Sequence, residues 1–206
     1  MPSRILLIRH GETAGNAARI VQKPDIPLSP RGEAQAEALA RRLASDGGVA
    51  RILSSDLARA VATAERLRAA TGAPIELDAL LQERNFGDVR GTPYDQLGFD
   101  LFEPVYAPPN GETWEMFHTR VDQAWERIRA LAAVTTGTLA VVTHGLVCRS
   151  IASRHVALAD GMCVPEKWEN TSVTIVDARA PWQVSLLNCV AHLGGVDTAP
   201  SPGAAV

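Results

Sequence analysis

In Arg4-Ile5-Leu6-Leu7-Ile8-Arg9-His10-Gly11, the unbroken apolar run 5–8 ends in a cation, an imidazole and a glycine. Four consecutive apolar residues suit a strand covered on both faces, as in a parallel sheet. A strand that ends on Arg9 and His10 and breaks at Gly11 sends both side chains into the crevice beyond the strand ends, where ligands of open α/β sheets sit. Leu139-Ala140-Val141-Val142-Thr143 closes in the same way, on His144-Gly145. Two such strand ends predict a site for an anion and for transfer chemistry.

Outward from these runs, short apolar stretches alternate with segments of helical period, the pattern of β-α-β units. Pro30 to about Ala44 places Ala36, Leu39, Ala40 and Leu43 on one face. Arg51–Leu53 reads as a short strand followed by Ser54-Ser55-Asp56, expected to cap a helix that buries Leu57, Ala60, Val61, Ala64 and Leu67. Thr113 to about Ala133 carries Trp114, Phe117, Val121, Trp125, Ile128 and Leu131 on one stripe, a core face. Ser172–Val176 and Gln183–Leu187 alternate across a short proline-containing link and are expected to pair antiparallel. The whole predicts a three-layer α/β/α sandwich with a mostly parallel central sheet and one antiparallel edge. Residues 84–112, with Pro93, Pro104, Pro108 and Pro109, read as an irregular excursion that acts as a lid. One domain is expected over 1–193, with a disordered tail over 194–206.

The chain has 206 residues, 46% of them hydrophobic and 21% charged, with net charge −3. No global basic field recruits nucleic acid or a membrane surface, so an anion site must be a local concentration of cations. The N-terminus offers too few apolar residues for a signal peptide, and a cytoplasmic location is the default expectation. A homo-oligomer is compatible with the sequence. Cys148, Cys163 and Cys189 show no metal or redox spacing and read as buried or partly buried reduced thiols. His118 and His155 read as solvated or capping residues, and His192 as structural.

Phosphoryl transfer through histidine needs a neutral imidazole on a rigid strand end, guanidiniums for the phosphoryl oxygens and an acid for the departing oxygen. His10 with Arg9, His144 with Gly145, Arg59 in the first turn of the helix after Asp56, and Glu83 just before the excursion supply these parts. Asn16 is a neutral donor nearby. Spacing alone leaves His10 and His144 interchangeable as the nucleophile. No metal or other cofactor is required if arginines and the second imidazole carry the positive charge. A metallohydrolase built on His10, His144 and Glu12 lacks H-x-H or H-E-x-x-H spacing, and no nucleotide-binding glycine loop is present.

Arg9-His10-Gly11-Glu12-Thr13 with Asn16 is followed by Leu28-Ser29-Pro30-Arg31-Gly32 with Gln35-Ala36. Ser54-Ser55-Asp56-Leu57-Ala58-Arg59-Ala60 with Thr63-Ala64 comes next, then Glu83 with Phe86-Gly87 and Gly91. Thr143-His144-Gly145 and Asn170-Thr171-Ser172 complete the set. In order and spacing this resembles the histidine phosphatase superfamily, or phosphoglycerate mutase-like family, over residues 4–188. The resemblance implies a phosphohistidine at His10, a phosphate pocket of Arg9, Arg59 and His144 with Gly145, Asn16 and Gln22 at its lining, and Glu83 as proton donor.

The family includes phosphatases and mutases, which differ in the covering segment. Gly91 through Thr119 contains no lysine or arginine, but has Asp95, Asp100, Glu103, Glu112 and Glu115 with Tyr94, Phe99, Phe102 and Tyr106. An acidic, aromatic cover would repel polyanions and favour a phosphomonoester with an apolar or neutral body, releasing inorganic phosphate. Lys23, Arg31, Arg84 and Arg90 are the cations outside that window which could reach the pocket. A mutase and a non-catalytic phosphate-binding module are the alternatives. Turnover is expected to improve toward mildly acidic pH, because Glu83 must first carry a proton.

Overall fold

The computed structural model describes residues 3–194. Six strands form one sheet in the order β3-β2-β4-β1-β5-β6: β1 (Arg4–Arg9), β2 (Arg51–Ser54), β3 (Ile75–Leu77), β4 (Thr138–Thr143), β5 (Val173–Asp177) and β6 (Val184–Cys189). β1, β2, β3 and β4 pair in parallel, while β5 runs antiparallel to β1 and to the edge strand β6. The expected tail from 194 onward lies outside the described residues, apart from Gly194 itself.

The alternation of side chains along β1 divides the core into two layers. Ile5 and Leu7 join Val141 under α4 (Trp114–Val134) and α5 (Gly145–Arg154), beside Phe117, Trp125 and Ile128. Leu6 and Ile8 join Ile52 and Val142 under α2 (Pro30–Ser45) and α3 (Ala58–Thr71), beside Leu39, Ala60, Ala64 and Leu67. A four-residue helix, α1 (Ala14–Ala17), follows the His10 loop. Helices therefore cover both faces, which is why β1 and β4 can be apolar through their centres, at residues 5–8 and 139–142.

One local expectation is corrected. Ser54, Ser55 and Asp56 do not cap α3 through a side chain; its N-cap is Leu57, and Ser55 Oγ instead accepts the Leu57 amide at 3.3 Å. Ser55 is held back from the helix because its hydroxyl also meets His144. The excursion over 84–112 is irregular, as expected, and it is packed: Val21, Phe86 and Leu101 form a small core with Val89, Tyr94, Leu97, Phe102 and Tyr106 around it. Gly87, at φ +52°, is required there, since a Cβ would lie 1.9 Å from the Pro109 carbonyl oxygen.

Candidate active site

The register of β1 against β4 builds the site. Arg9 pairs with Thr143, so His10 and His144 leave the sheet side by side, with ring centroids 5.0 Å apart. The His10 amide donates to the Thr143 carbonyl at 3.0 Å. From the other side, Asn170 Nδ2 donates to the His10 carbonyl and the Thr171 amide to that of Arg9, each at 3.0 Å. The backbone carrying the imidazole is thus pinned by two segments distant in sequence.

The ring of His10 has a defined tautomer. Nδ1 lies 2.7 Å from the Gly11 carbonyl oxygen, which only accepts, so Nδ1 bears the hydrogen. Nε2 receives the Nε–H of Arg59 at 3.2 Å, a group that only donates, so Nε2 presents its lone pair. Burial, then the charges of Arg59 and Arg9, hold the His10 pKa well below the ordinary histidine value and keep the ring neutral. His144 is buried behind it, with Nε2 2.9 Å from Ser55 Oγ and Nδ1 without a protein partner. Its pKa is pulled down by burial and by Arg59 and His10.

Arg59, the second residue of α3, reaches back over the sheet end as its place in the first turn predicts, and also donates to the Lys23 carbonyl at 3.2 Å. Burial lowers its pKa to about 10, which leaves it cationic near neutrality. Arg9 donates to the Trp168 carbonyl, and its Nε has no protein partner. Glu83 accepts the Arg84 amide at 3.0 Å on one oxygen and the Leu146 amide, from the first turn of α5, at 3.2 Å on the other. Burial nevertheless raises its pKa above the usual carboxylate range, outweighing those amides and the charges of Arg59 and Arg9.

These groups open on one cleft of about 800 Å³ including its mouth, lined by Arg9, His10, Asn16, Gln22, Arg59, Glu83 and Gly145. The carboxamide oxygens of Asn16 and Gln22 accept from the Thr13 amide at 3.2 Å and the Thr13 hydroxyl at 2.8 Å, which leaves their NH2 groups as donors. His144 stands behind this lining rather than in it.

The outer wall departs from the sequence reading. Arg84 and Arg90 reach the cleft, as do Phe86, Tyr94 and Phe102. Arg31 turns instead to Glu12, at 3.0 Å, and the Lys23 side chain is exposed. None of the five carboxylates of the window 91–119 lines the cleft among the described residues, so the acidic cover facing the substrate is overturned. Glu112 is drawn away by Arg120, at 2.7 Å, and Asp95, Asp100, Glu103 and Glu115 lie at the exposed surface because nothing inside would offset their desolvation. Phe99 is exposed as well. Leu146, Arg149, Glu166 and Trp168 complete the wall and were not legible as site residues. Arg149 follows His144 in α5 by a little over one turn, which is the one available signal; the loop carrying Glu166 and Trp168 has no periodicity to read.

Outside the cleft, Glu12 faces Ser29 and Arg31 rather than the histidines, and no cluster of His, Cys, Asp or Glu that could hold a metal ion occurs among the described residues. Cys148 is buried, with its thiol pKa raised by burial, while Cys163 is exposed in the loop after α5, contrary to expectation. His155 closes α5 and pairs with Asp122 at 2.7 Å. His118 is neither solvated nor capping; it contacts Ser150 Oγ at 2.9 Å and stacks on Trp114. His192 bridges Arg42 and Thr171. No helix among the described residues is long and apolar enough to cross a membrane.

The chain belongs to the histidine phosphatase superfamily (branch 1), whose profile matches residues 5–189. It is 32% identical to phosphoglycerate mutase-like protein 4 of Arabidopsis thaliana, across 93% of this chain and 87% of the relative. Among solved structures it is similar to Bacillus stearothermophilus YhfR, with TM-score 0.78 and 29% identity over 92% of this chain and 98% of that one. It is also similar to a mycobacterial glucosyl-3-phosphoglycerate phosphatase in complex with VO3, with TM-score 0.71 and 26% identity over 84% and 90%.

Proposed function

We propose that the protein hydrolyses small phosphomonoesters without a metal ion, through a phosphohistidine at His10. The observation that carries this reading is the enforced tautomer: Gly11 fixes the hydrogen on Nδ1 of His10, so Nε2 is the unprotonated nitrogen of a cleft-lining ring. Arg59 Nε–H rests on its lone pair until a phosphoryl group takes that place. Nε2 attacks phosphorus as the P–O ester bond breaks, and Glu83 passes its proton to the departing oxygen. Glu83 then takes a proton from water as the water oxygen attacks phosphorus, the P–N bond breaks and inorganic phosphate leaves. Arg9 and Arg59, with the amide donors of Asn16 and Gln22, hold the phosphoryl oxygens, whose charge is spread in the transition state. The unpartnered Nε of Arg9, a lining residue, is a buried polar atom of the kind an oxyanion satisfies.

Rapid quenching with a labelled aryl phosphate tests the intermediate. An acid-labile, alkali-stable phosphoenzyme that is absent in His10→Ala is expected, at equal amplitude in EDTA. Turnover that survives His10→Ala, or that chelation removes, would overturn the proposal. A mutase is the second reading, favoured by the cations of the outer wall and by the name of the Arabidopsis relative. Incubation with phosphoglycerates separates the two, since hydrolysis releases inorganic phosphate and a mutase yields the isomer.

A further inference from the structure

We infer that Arg90 forms a second anion subsite, which selects phosphomonoesters carrying a carboxylate or comparable anionic group away from the phosphoryl end. The inference rests on the phosphoryl-transfer reading and reverses the expectation of a neutral-bodied substrate. Five guanidiniums line the cleft, and four of them also hydrogen-bond the protein. Arg9 serves the Trp168 carbonyl, Arg59 serves His10 and the Lys23 carbonyl, Arg84 serves three carbonyls of the cover, and Arg149 serves the Glu166 carbonyl at 3.3 Å. The Arg90 side chain is half-buried, and its guanidinium makes no hydrogen bond or ion pair among the described residues.

Keeping a guanidinium partly out of water with no partner is unfavourable, and like charge adds to the cost. Arg90 lies close enough to Arg59 to depress its pKa, and burial lowers that of Arg90 itself. The carboxylate nearest in influence, Glu112, already has its oxygens taken by Arg120 and the Asn85 amide. A ligand anion between the two arginines offsets both penalties, and the planar fork of arginine suits a carboxylate. The backbone around Arg90 is fixed, since its amide donates to the Gly87 carbonyl at 3.2 Å and the next amide to that of Val21 at 2.7 Å. The charge is therefore held in place before ligand arrives.

The test is calorimetric titration of His10→Ala, which prevents turnover, with ligand pairs that differ only in a carboxylate. Phosphoglycolate is set against ethyl phosphate, 4-carboxyphenyl phosphate against p-tolyl phosphate, and inorganic phosphate serves as reference. In at least one pair the carboxylate should tighten binding about 10- to 100-fold, the range of a charge-assisted hydrogen-bond pair. Arg90→Gln on the same background should erase that gain, and Arg90→Lys, which keeps the charge but not the fork, should retain part of it. Phosphate binding with no carboxylate preference, or a preference that survives Arg90→Gln, overturns the subsite alone. Absence of phosphate binding overturns the phosphoryl site together with it.

Discussion

Glu83 and His10 have pKa values displaced in opposite directions by the same burial, because one is neutral when protonated and the other when not. Each is therefore shifted toward the state the first chemical step needs. For alkyl phosphates, kcat/KM should fall as pH rises through the raised pKa of Glu83, an alkaline limb placed above the ordinary carboxylate value. The acid limb set by His10 should lie low, since its pKa is depressed. Glu83→Gln should cost alkyl phosphates about 10²–10⁴-fold and remove the alkaline limb, with a much smaller loss on p-nitrophenyl phosphate, whose leaving group needs no proton. Equal losses on both substrates would count against acid catalysis. At this scale the sequence shows His10, Arg9 and Arg59 well, because each is fixed by position at a strand end or first helical turn. It hides the tautomer of His10, which depends on Arg59 arriving from 49 residues away.

A single ion pair steadies the loop that bears Glu83. Arg120 of α4 grips Glu112 with two bonds of 2.7 Å and donates to the carbonyls of Leu80 and Gln82 at 2.8 Å, and to that of Glu83 at 3.4 Å. Glu112 in turn accepts the Asn85 amide at 2.8 Å. Arg120→Lys keeps the charge but loses the fork, and should lower kcat for alkyl phosphates about 10²-fold through misplacement of the acid, with KM little moved. An equal fall on aryl phosphates would show a broader disturbance. Arg84 performs the matching task for the cover, bonding the carbonyls of Leu101, Tyr106 and Glu112 and lying 3.9 Å from the Trp114 ring centroid. Arg84→Leu leaves these carbonyls without their donor and should expose residues 100–112 to limited proteolysis, read by mass spectrometry. Periodicity reveals the apolar stripe of α4 but says nothing of Arg120 beside it, and Glu112, just before the helix, read as part of an acidic cover rather than as the partner of that arginine.

Across the molecule, β1 carries the load of both core layers. Leu7→Ala and Leu6→Ala each remove a fully buried side chain, on opposite faces, and should each cost about 2–5 kcal/mol in denaturant melts. The layered fold was legible because apolar runs and amphipathic stripes are enforced by burial, whereas the outer cleft is assembled from aperiodic loops. The distance between the two imidazoles has a different origin from the rest of the site. It is inherited from the hydrogen-bond ladder of adjacent strands, whose spacing of about 4.8 Å nearly equals the 5.0 Å between ring centroids. Surrounding segments can thus be exchanged to admit new leaving groups, while the paired heterocycles keep their separation as long as two neighbouring strands stay in register.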